Sequence, residues 1–358
     1  MSKLKLFCDF HHGGLARSMW YLFGDRLGYE IRFPHYNFTH ECAPGGVWNE
    51  LHEDGIAHIG EWDGEAWRAR GGLIEKQEFL DTKWDIILVT RHESMAVFKS
   101  LGHPKPGVKY IGVAGNENIF YDSTWIPNLL STDCSTYRNA PADVYKILTG
   151  QELGRQYGKT FVPVTAEALH KVNTYLNNMT GHDVDFTWGC DAFNGCPHCE
   201  GIPRKHESVN LFKLWESTRK ATPDYQWGLY GHFNDNCNGR AVIETELAAV
   251  YASAALTWHY KTAEGWGHSL LQSIACGRPV IVPEKFFRYK NAGRYLIPEQ
   301  TCFECDYTAE NIAQTIRRVT ADIDTANHYA KRCWDVAHTL FDWSHEAWRV
   351  KKWMENLR

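Results

Sequence analysis

The stretch "ELAAVYASAALTWHYKTAEGWGHSLLQSIACGRPVIVP", residues 246–283, determines the predicted fold. It begins within a helix at 244–254 and continues into an apolar strand at 255–260 and an acidic loop flanked by glycines. A short helix and the apolar strand "PVIVP" at 279–283 follow. Alternating strands and helices are typical of a parallel sheet, in which loops at the carboxyl ends of the strands lead into helices. We therefore expect an α/β domain here.

The same alternation occurs on both sides of this stretch. "KLKLFCDF" at 3–10 and "YEIRFP" at 29–34 predict strands, separated by the turn "HHGG" and a helix that ends at Gly28. Further strands are expected at 84–90, 109–115, 125–132, 159–164 and 225–231, and further helices at 208–220, 308–323 and 328–357. Residues 34–80 have no regular hydrophobic period and are interpreted as loops and irregular insertions.

The chain length of 358 residues predicts two domains with a cleft between them. We expect an N-terminal Rossmann-like domain over 1–180, a Cys-rich connection over 181–206 and a second Rossmann-like domain over 207–335. The last segment, 336–358, is expected to be a helix that packs back on the first domain.

The composition is that of a globular protein, with 44% hydrophobic and 23% charged residues. No apolar run approaches the length of a membrane span, and the N-terminus reads as a strand rather than a signal peptide, so we expect a cytoplasmic protein with no membrane span. The eleven scattered cysteines are then expected to be mostly reduced thiols. A net charge of -5 does not indicate a nucleic-acid partner.

The loop "KTAEGWGHS" at 261–269 has the features of a diphosphate site. Gly265 and Gly267 allow close approach of the backbone, and the helix that starts near His268 offers unpaired N–H groups and a positive dipole end. Lys261 directly follows the strand and could neutralise the leaving diphosphate. The plainer interpretation is a tight turn with an exposed acid.

Two side chains in this region suit hydroxyl groups rather than phosphate. Glu264 would be repelled by a phosphate but can accept hydrogen bonds from sugar or ribose hydroxyls. Gln272 lies about two helical turns further on, within reach of the same pocket. The residues expected to bind the donor here are Gly265, Trp266, Gly267, His268, Ser269 and Gln272.

Residues 246–283 resemble the donor-binding segment of retaining glycosyltransferases of the GT-B fold, in the family typified by sucrose synthases and mannosyl transferases (family 4-like). The resemblance implies two Rossmann-like domains facing a central cleft, and transfer of a sugar with retention from a nucleoside diphosphate sugar, expected to be a UDP-sugar, without a catalytic metal. The first acid of that family faces the transferred sugar, which implies this role for Glu264. The second acid contacts the ribose, and this chain departs from the pattern by carrying Gln272.

Two further segments follow predicted strands at their carboxyl ends. In "HHGG", Gly13 and Gly14 would let donor phosphates or an acceptor approach, and His11 or His12 could hydrogen-bond to either. In "TRHES" at 90–94, the resemblance implies contacts with the acceptor or phosphate, so that His92 joins Glu264 and Lys261 as catalytic candidates and Arg91 lies on the acceptor side. Each segment is also compatible with exposed polar turns.

The segment "FCDFHHGGLARSMWYLFGDRLG" at 7–28 resembles glycosyltransferases encoded by phages, some of which attach sugars to hydroxymethylated DNA bases. This similarity implies DNA modification as one activity, with a phage origin and a host cytoplasm as the location. A glycan is the other main acceptor candidate, and lipid and small-molecule acceptors also remain open. A sugar-nucleotide epimerase of the same fold is an alternative enzyme.

The stretch "CDAFNGCPHC" has the ligand types of a structural zinc site. Cys190, Cys196 and Cys199 lie close in sequence to each other, and His206 can serve as a fourth ligand. With the nearby "PRKH" as a phosphate contact, the cluster also supports an alternative of a different class, a non-catalytic nucleic-acid-binding protein with zinc. Reduced cysteines in a packed loop are the plainer interpretation.

Overall fold

The chain divides into two compact units. Unit 1 comprises Met1–Leu148 together with Asp342–Arg358, and unit 2 comprises Thr149–Phe341. The structure is a computed structural model that describes residues 3–9, 19–34, 72–74, 76–89, 94–114, 124–131, 160–175, 211–230, 244–259, 268–284, 293, 295–340 and 343–357. Unit 1 therefore consists of two segments of the chain, one before and one after unit 2 in the sequence.

Unit 1 contains a sheet of six parallel strands with the order β3-β2-β1-β4-β5-β6. The strands are β1 (Lys5–Cys8), β2 (Glu30–Pro34), β3 (Leu73–Ile74), β4 (Ile86–Val89), β5 (Lys109–Ala114) and β6 (Asn128–Ser131). Between them lie the helices α1 (Trp20–Arg26, wound as a π-helix), α2 (Lys76–Asp81) and α3 (Ser94–Ser100). The sequence "IILV" of β4 is buried throughout, as is typical of a central strand covered on both faces.

The core of unit 1 is a cluster of aromatic rings. Phe7 of β1 lies 4.5 Å from Phe79 and 5.4 Å from Trp84 between ring centroids, and all three are buried. The indole N–H of Trp84 donates to the carbonyl of Phe79 at 3.0 Å, which satisfies the one polar atom of that side chain. Burial, with a contribution from Lys105, lowers the pKa of nearby His103 to about 4. That ring is therefore neutral and belongs to the core.

Unit 2 contains a sheet of five parallel strands with the order β11-β10-β9-β7-β8. The strands are β7 (Lys171–Tyr175), β8 (Gln226–Tyr230), β9 (Leu256–His259), β10 (Val280–Pro283) and β11 (Cys302–Cys305). The helices are α4 (Leu211–Ala221), α5 (Glu244–Ala252), α6 (His268–Ala275), α7 (Ala309–Val319) and α8 (Ile323–Leu340). The last helix of the chain, α9 (Trp343–Glu355), belongs to unit 1.

The amphipathic helix α7 covers the core of unit 2. Ile312, Ile316 and Val319 recur at helical spacing and pack with the fully buried Trp258 of β9. Thr308 caps the helix by accepting a hydrogen bond from the backbone N–H of Asn311 at 3.2 Å. The two parallel sheets flanked by helices confirm the expected α/β class with two Rossmann-like units.

The strand expected at 159–164 is wrong. The described part, 160–164, joins no sheet, and side chains distant in sequence form hydrogen bonds with its backbone. Asn327 accepts from the N–H of Val164 at 2.7 Å and donates to its carbonyl at 3.1 Å. Arg278 donates to the carbonyl of Val162 at 3.0 Å. The strand that enters the sheet is β7, ten or so residues later.

Three other expectations differ from the structure. The segment 34–80, interpreted as loops, contains strand β3 and nearly all of helix α2, and strand β11 was not predicted. The domain boundary expected after residue 180 differs from the division at Leu148, because β7 pairs with β8 and β9 of the second sheet. The Cys-rich connection at 181–206 lies outside the described residues.

Gly277 lies two residues after the end of helix α6, at a position where the backbone requires glycine. Gly277 has φ of 70°, and a Cβ there would lie 3.0 Å from the carbonyl oxygen of Ala330 and 3.2 Å from the Phe161 ring. We expect Gly277→Ala to lower the free energy of unfolding by about 2–3 kcal/mol, since the left-handed conformation alone costs about 1–2 kcal/mol. Gly107→Ala is the matched control, because Gly107 has φ of 80° but no atom within 4 Å of the added Cβ. Equal losses in chemical denaturation would contradict a role for the contacts with Ala330 and Phe161.

Candidate functional site

The second sheet reverses its strand order between β7 and β9. After β7, the chain adds β8 on one side and then crosses to the other side, where β9, β10 and β11 follow in order. Tyr175 and His259, the last residues of β7 and β9, are partners in register. Open parallel sheets bind ligands outside the carboxyl ends of the strands at such a reversal. Strand β9 therefore ends at this reversal point, and residues 260–267 follow it in sequence.

Eight residues separate the end of β9 from the start of helix α6. Its first residue is His268, and the N–H groups of its first turn have no partner within the helix itself. The backbone of His268 and all of Ser269 and Gln272 are described and lie on this helix. The other residues predicted for this loop, Lys261, Glu264, Gly265, Trp266 and Gly267, lie outside the described residues.

Gln272 is the partly exposed position among the described side chains of α6. Ser269 is 8% exposed, and every residue of 269–275 other than Gln272 is buried. The hydroxyl of Tyr251, on α5, donates to the carbonyl oxygen of Ser269 at 3.1 Å and lies 3.4 Å from the side-chain oxygen Oε1 of Gln272, a second acceptor. Tyr251 itself is 3% exposed. The buried hydroxyl of Tyr251 thus contacts both the first turn of α6 and the partly exposed side chain of Gln272.

Hydrogen bonds from the other face of α6 attach it to the sheet. Ser273 Oγ lies 2.8 Å from Thr257 Oγ1 of β9 and donates to the carbonyl of Arg278 at 2.9 Å. All three residues are buried. Because a buried hydroxyl left without a partner is costly, this network fixes α6 relative to β9 and so fixes where the helix begins.

Arg278 is a buried cation that serves the fold and not a phosphate. Its side chain is fully buried, and within the described part of the chain its guanidinium donates to backbone carbonyls, four of which lie just before β9 or β10. The acceptors are Ala254 at 2.7 Å, Val162 at 3.0 Å, Gly277 at 3.0 Å, Ala252 at 3.0 Å, Cys276 at 3.2 Å and Pro163 at 3.5 Å. Burial lowers the pKa of Arg278 to about 10, which leaves it charged at neutral pH. The Arg278 side chain is therefore unavailable to a ligand at the carboxyl ends of the strands.

The first sheet has the same type of reversal between β1 and β4. The two strands pair in parallel, with Leu6 opposite Ile86 and Cys8 opposite Leu88. The segments that carry the predicted acceptor-side residues follow these neighbouring strands. The predicted residues His11, His12, Gly13, Gly14, Arg91 and His92 themselves lie outside the described residues.

Two residues at the sites were not singled out from the sequence. Asp9 is 3% exposed, and its N–H donates to the Leu88 carbonyl at 3.3 Å, which places a buried carboxylate at the carboxyl end of β1. An acid directly after an apolar strand was a usable signal. Tyr251 had no such signal, because it lies in the apolar run "ELAAVYASA" and reads as a core residue.

The described part of the chain shows neither a metal site nor a reactive thiol. No three or more His, Cys, Asp and Glu residues are grouped to hold a metal ion within these ranges, and Cys190, Cys196, Cys199 and His206 lie outside them. The described cysteines, all free, are Cys8, Cys276, Cys302, Cys305 and Cys333. Burial raises the pKa of Cys276 to about 12, so this thiol is protonated and unreactive at neutral pH. Every described helix is also too short or too polar to traverse a bilayer.

Comparison with known proteins identifies the architecture. No family model matches the chain, and no curated protein matches its sequence. Solved structures match it over nearly its whole length. The Anabaena protein Alr3699/HepE in complex with UDP and glucose has a TM-score of 0.59 and 11% identity, and the match covers 99% of this chain and 100% of that one. The chain has the GT-B fold.

Two further structures support the GT-B assignment. Sucrose-phosphate synthase (tll1590) from Thermosynechococcus elongatus has a TM-score of 0.58 and 12% identity, and the match covers 99% of this chain and 98% of that one. A glycosyltransferase from Rickettsia africae ESF-5 has a TM-score of 0.60 and 11% identity, with 99% of each chain covered. At these identities the similarity establishes the GT-B fold, and the activity of this chain is a separate inference.

Proposed function

We propose that this GT-B chain is a glycosyltransferase that moves a sugar from a nucleoside diphosphate sugar to an acceptor hydroxyl. The observation that carries the proposal is that residues 260–267 connect the reversal point of the second sheet to the N-terminus of α6. This is where an α/β sheet binds a nucleotide, with the diphosphate at the helix N-terminus. HepE, which shares the fold, binds UDP and glucose, so a UDP-sugar is the proposed donor.

The proposed donor contacts follow from the chemistry of this loop. Gly265 and Gly267 let the backbone approach the diphosphate, and Lys261 neutralises its charge. Glu264 faces the transferred sugar, where its carboxylate accepts hydrogen bonds from hydroxyls and stabilises positive charge at the anomeric carbon. Gln272 faces the ribose. Trp266, His268 and Ser269 complete the donor side.

The proposed reaction retains the anomeric configuration. The bond between the anomeric carbon and the β-phosphate oxygen breaks, and the acceptor oxygen bonds to that carbon from the same face. The proton of the acceptor hydroxyl passes to the departing phosphate oxygen. The transition state resembles an oxocarbenium ion, as in glycoside hydrolysis. The helix N-terminus and Lys261 stabilise the leaving diphosphate, so no catalytic metal is proposed.

Unit 1 is proposed to bind the acceptor. Its two segments with histidine and glycine or arginine, residues 11–14 and 91–92, follow the neighbouring strands β1 and β4. These side chains can hydrogen-bond to an acceptor hydroxyl, and His92 is also the proposed catalytic contact on this side. A glycan hydroxyl and the hydroxymethyl group of a modified DNA base are the two acceptor classes that the assay must compare.

UDP should stabilise the protein in a thermal-shift experiment. A ligand at one hundred times its dissociation constant adds about 2.7 kcal/mol to the free energy of unfolding. We expect UDP to raise the melting temperature more than ADP, GDP or CDP, and uridine, which lacks the diphosphate, to have no effect. If none of the four diphosphates changes the melting temperature, the proposed function is wrong.

The same preparation then distinguishes the reactions. Incubation with the preferred UDP-sugar and either a glycan or hydroxymethylated DNA should give a glycosylated product whose anomeric configuration matches the donor. An inverted product would overturn retention alone. An epimerised donor formed without acceptor would indicate the epimerase alternative. Bound zinc with salt-sensitive DNA binding, and no nucleotide effect, would indicate the nucleic-acid-binding alternative.

A further inference from the structure

Helix α9 packs within unit 1 through one of its sides. Ala347, Val350 and Met354 recur at helical spacing, and each of them is buried. Just beyond the helix, the Lys109 side chain of β5 donates to the carbonyl oxygen of Leu357 at 3.2 Å, which ties the end of the chain to the first sheet. These contacts hold α9 in place, so the side chains on its opposite side are available for another role.

The opposite side of α9 carries an exposed tryptophan between lysines. Trp348 is 55% exposed, the largest fraction among the large hydrophobic side chains that the structure describes. Lys351 and Lys352 follow at the helical spacing that makes side chains neighbours, and both are exposed. We call these three residues the α9 surface. Because tryptophan is usually well buried in folded proteins, an indole so open to water and flanked by ammonium groups points to an interaction surface.

The α9 surface lies in a positively charged part of an acidic chain. From Trp348 onwards the sequence has one acid, Glu355, against the basic residues Arg349, Lys351, Lys352 and Arg358, whereas the net charge of the whole chain is -5. A hydrogen bond from Lys352 at 2.8 Å lowers the pKa of Glu355. Since these two side chains are 53% and 47% exposed, their ion pair is weak and leaves the lysine accessible. The α9 surface therefore attracts anions.

We propose that the α9 surface docks this chain on an anionic lipid bilayer. An indole ring is amphipathic and is stable at the level of the lipid headgroups, between water and hydrocarbon. Lysine side chains next to it are drawn to the negative surface potential of anionic lipids, and their long stems keep the ammonium groups among the headgroups. Such docking is peripheral and reversible. It places unit 1 at the membrane and goes beyond the proposed sugar transfer.

The tryptophan favours a bilayer over duplex nucleic acid, the other polyanion that a basic helix can bind. Proteins contact a duplex mainly through hydrogen bonds to phosphates and to base edges, in which an indole ring takes little part. Stacking of an aromatic ring on bases requires unpaired bases. An anionic bilayer, by contrast, uses the indole of Trp348 and the ammonium groups of Lys351 and Lys352 together.

Co-sedimentation of the full chain with lipid vesicles tests this proposal. At low salt, about 50 mM, we expect binding to vesicles of phosphatidylcholine with about 40% phosphatidylserine, and little binding to phosphatidylcholine alone. Replacing both lysines, Lys351→Ser with Lys352→Ser, should lower the partition coefficient roughly 30-fold, since each lysine near an anionic surface contributes roughly fivefold. Trp348→Ala should lower it about tenfold.

Lys213→Ser with Lys220→Ser is the matched control for the lost charge. Both lysines are exposed on α4 of unit 2, so their replacement changes the net charge equally but leaves the α9 surface intact. Vesicle binding of this control should stay within about twofold of wild type. The urea midpoint of each variant should match wild type, because every replaced side chain is exposed. The change in melting temperature with UDP should also be unaltered, so vesicle binding is tested independently of the proposed function.

Three results would overturn the proposal. The first is wild-type protein that stays in the supernatant with anionic vesicles. The second is an equal loss of vesicle binding in the α9 and control variants, which would show that only the total charge matters. The third is binding to a short DNA duplex that is lost in the α9 variants, with no binding to vesicles, which would assign the α9 surface to nucleic acid instead.

Discussion

Glu264→Ala should lower the rate of sugar transfer about 10²–10³-fold, the effect typical of removing one group that stabilises a charged transition state. The carboxylate is proposed to accept hydrogen bonds from the transferred sugar and to face the positive charge that develops at the anomeric carbon. Neither interaction contributes to folding, so the urea midpoint should not change. Initial rates of UDP release, with and without acceptor, measure the effect, and calorimetry with UDP should show nearly unchanged binding of the nucleotide.

Glu310→Ala is the control for the loss of a carboxylate. Glu310 lies in the first turn of α7, the helix that follows β11. It is therefore near the carboxyl ends of the strands, where the donor loop begins, but two strands away from β9. It is exposed, and its described contact is with Gln314. Its replacement should leave the transfer rate within about twofold of wild type. Comparable losses in the two variants would show that Glu264 has no specific role.

Arg278→Met should be the most destabilising substitution in unit 2 that leaves the proposed donor contacts untouched. Methionine retains the unbranched part of the side chain as far as the position of Nε but leaves the buried carbonyls that Arg278 now satisfies, including those of Val162, Ala252 and Ala254, without these donors. Leaving a buried polar group unpaired costs about 1–3 kcal/mol, so we expect a total loss of about 3–5 kcal/mol. That is a large fraction of the 5–15 kcal/mol typical of domain stability.

Arg317→Met tests whether burial causes this effect. Arg317 also donates to a carbonyl, that of Ala221 at 2.6 Å, but its side chain is 48% exposed and water can replace the contact. Its loss should cost less than about 1 kcal/mol. Urea denaturation monitored by tryptophan fluorescence compares the two variants. A difference below about 1 kcal/mol would contradict the role assigned to Arg278.

The local elements of the fold could be predicted where hydrophobic periodicity was strong. Strands β4, β9 and β10 are short apolar runs followed or preceded by turns, and their positions agree with the expectation within two residues. Strand β11, "CFEC", was missed because its cysteines and glutamate show no strong apolar alternation. The strand expected at 159–164 was wrong because its partners, Asn327 and Arg278, are more than 100 residues away in sequence.

The order of the strands could not be read from any local pattern. Strand β7 has the polar sequence "KVNTY", yet it occupies the interior of its sheet, where the Asn173 side chain is accommodated by donating to the Val250 carbonyl at 2.6 Å. The reversal between β7 and β9 is visible only once both strands are placed. The sequence therefore predicted a ligand loop after β9, and the structure adds the reason why ligands are expected there.

Some residues of the proposed donor site could be predicted from the sequence, and others could not. The glycines and acid of 261–269 carried a signal in their spacing, and so did Gln272 at its distance along α6. The partner of Gln272, Tyr251, could not be predicted, because a tyrosine in an apolar helix is normally a core residue. The contact of its hydroxyl with a residue of another helix is visible only in the structure.

The division of the chain into units has a consequence for synthesis on the ribosome. Unit 1 contains Asp342–Arg358, and within it the Lys109 side chain donates to the carbonyl of Leu357 at 3.2 Å. While unit 2 is being translated, the N-terminal part of unit 1 already has all six strands of its sheet but lacks helix α9. Unit 2 is continuous in sequence, so all of its residues leave the ribosome before unit 1 receives its last helix.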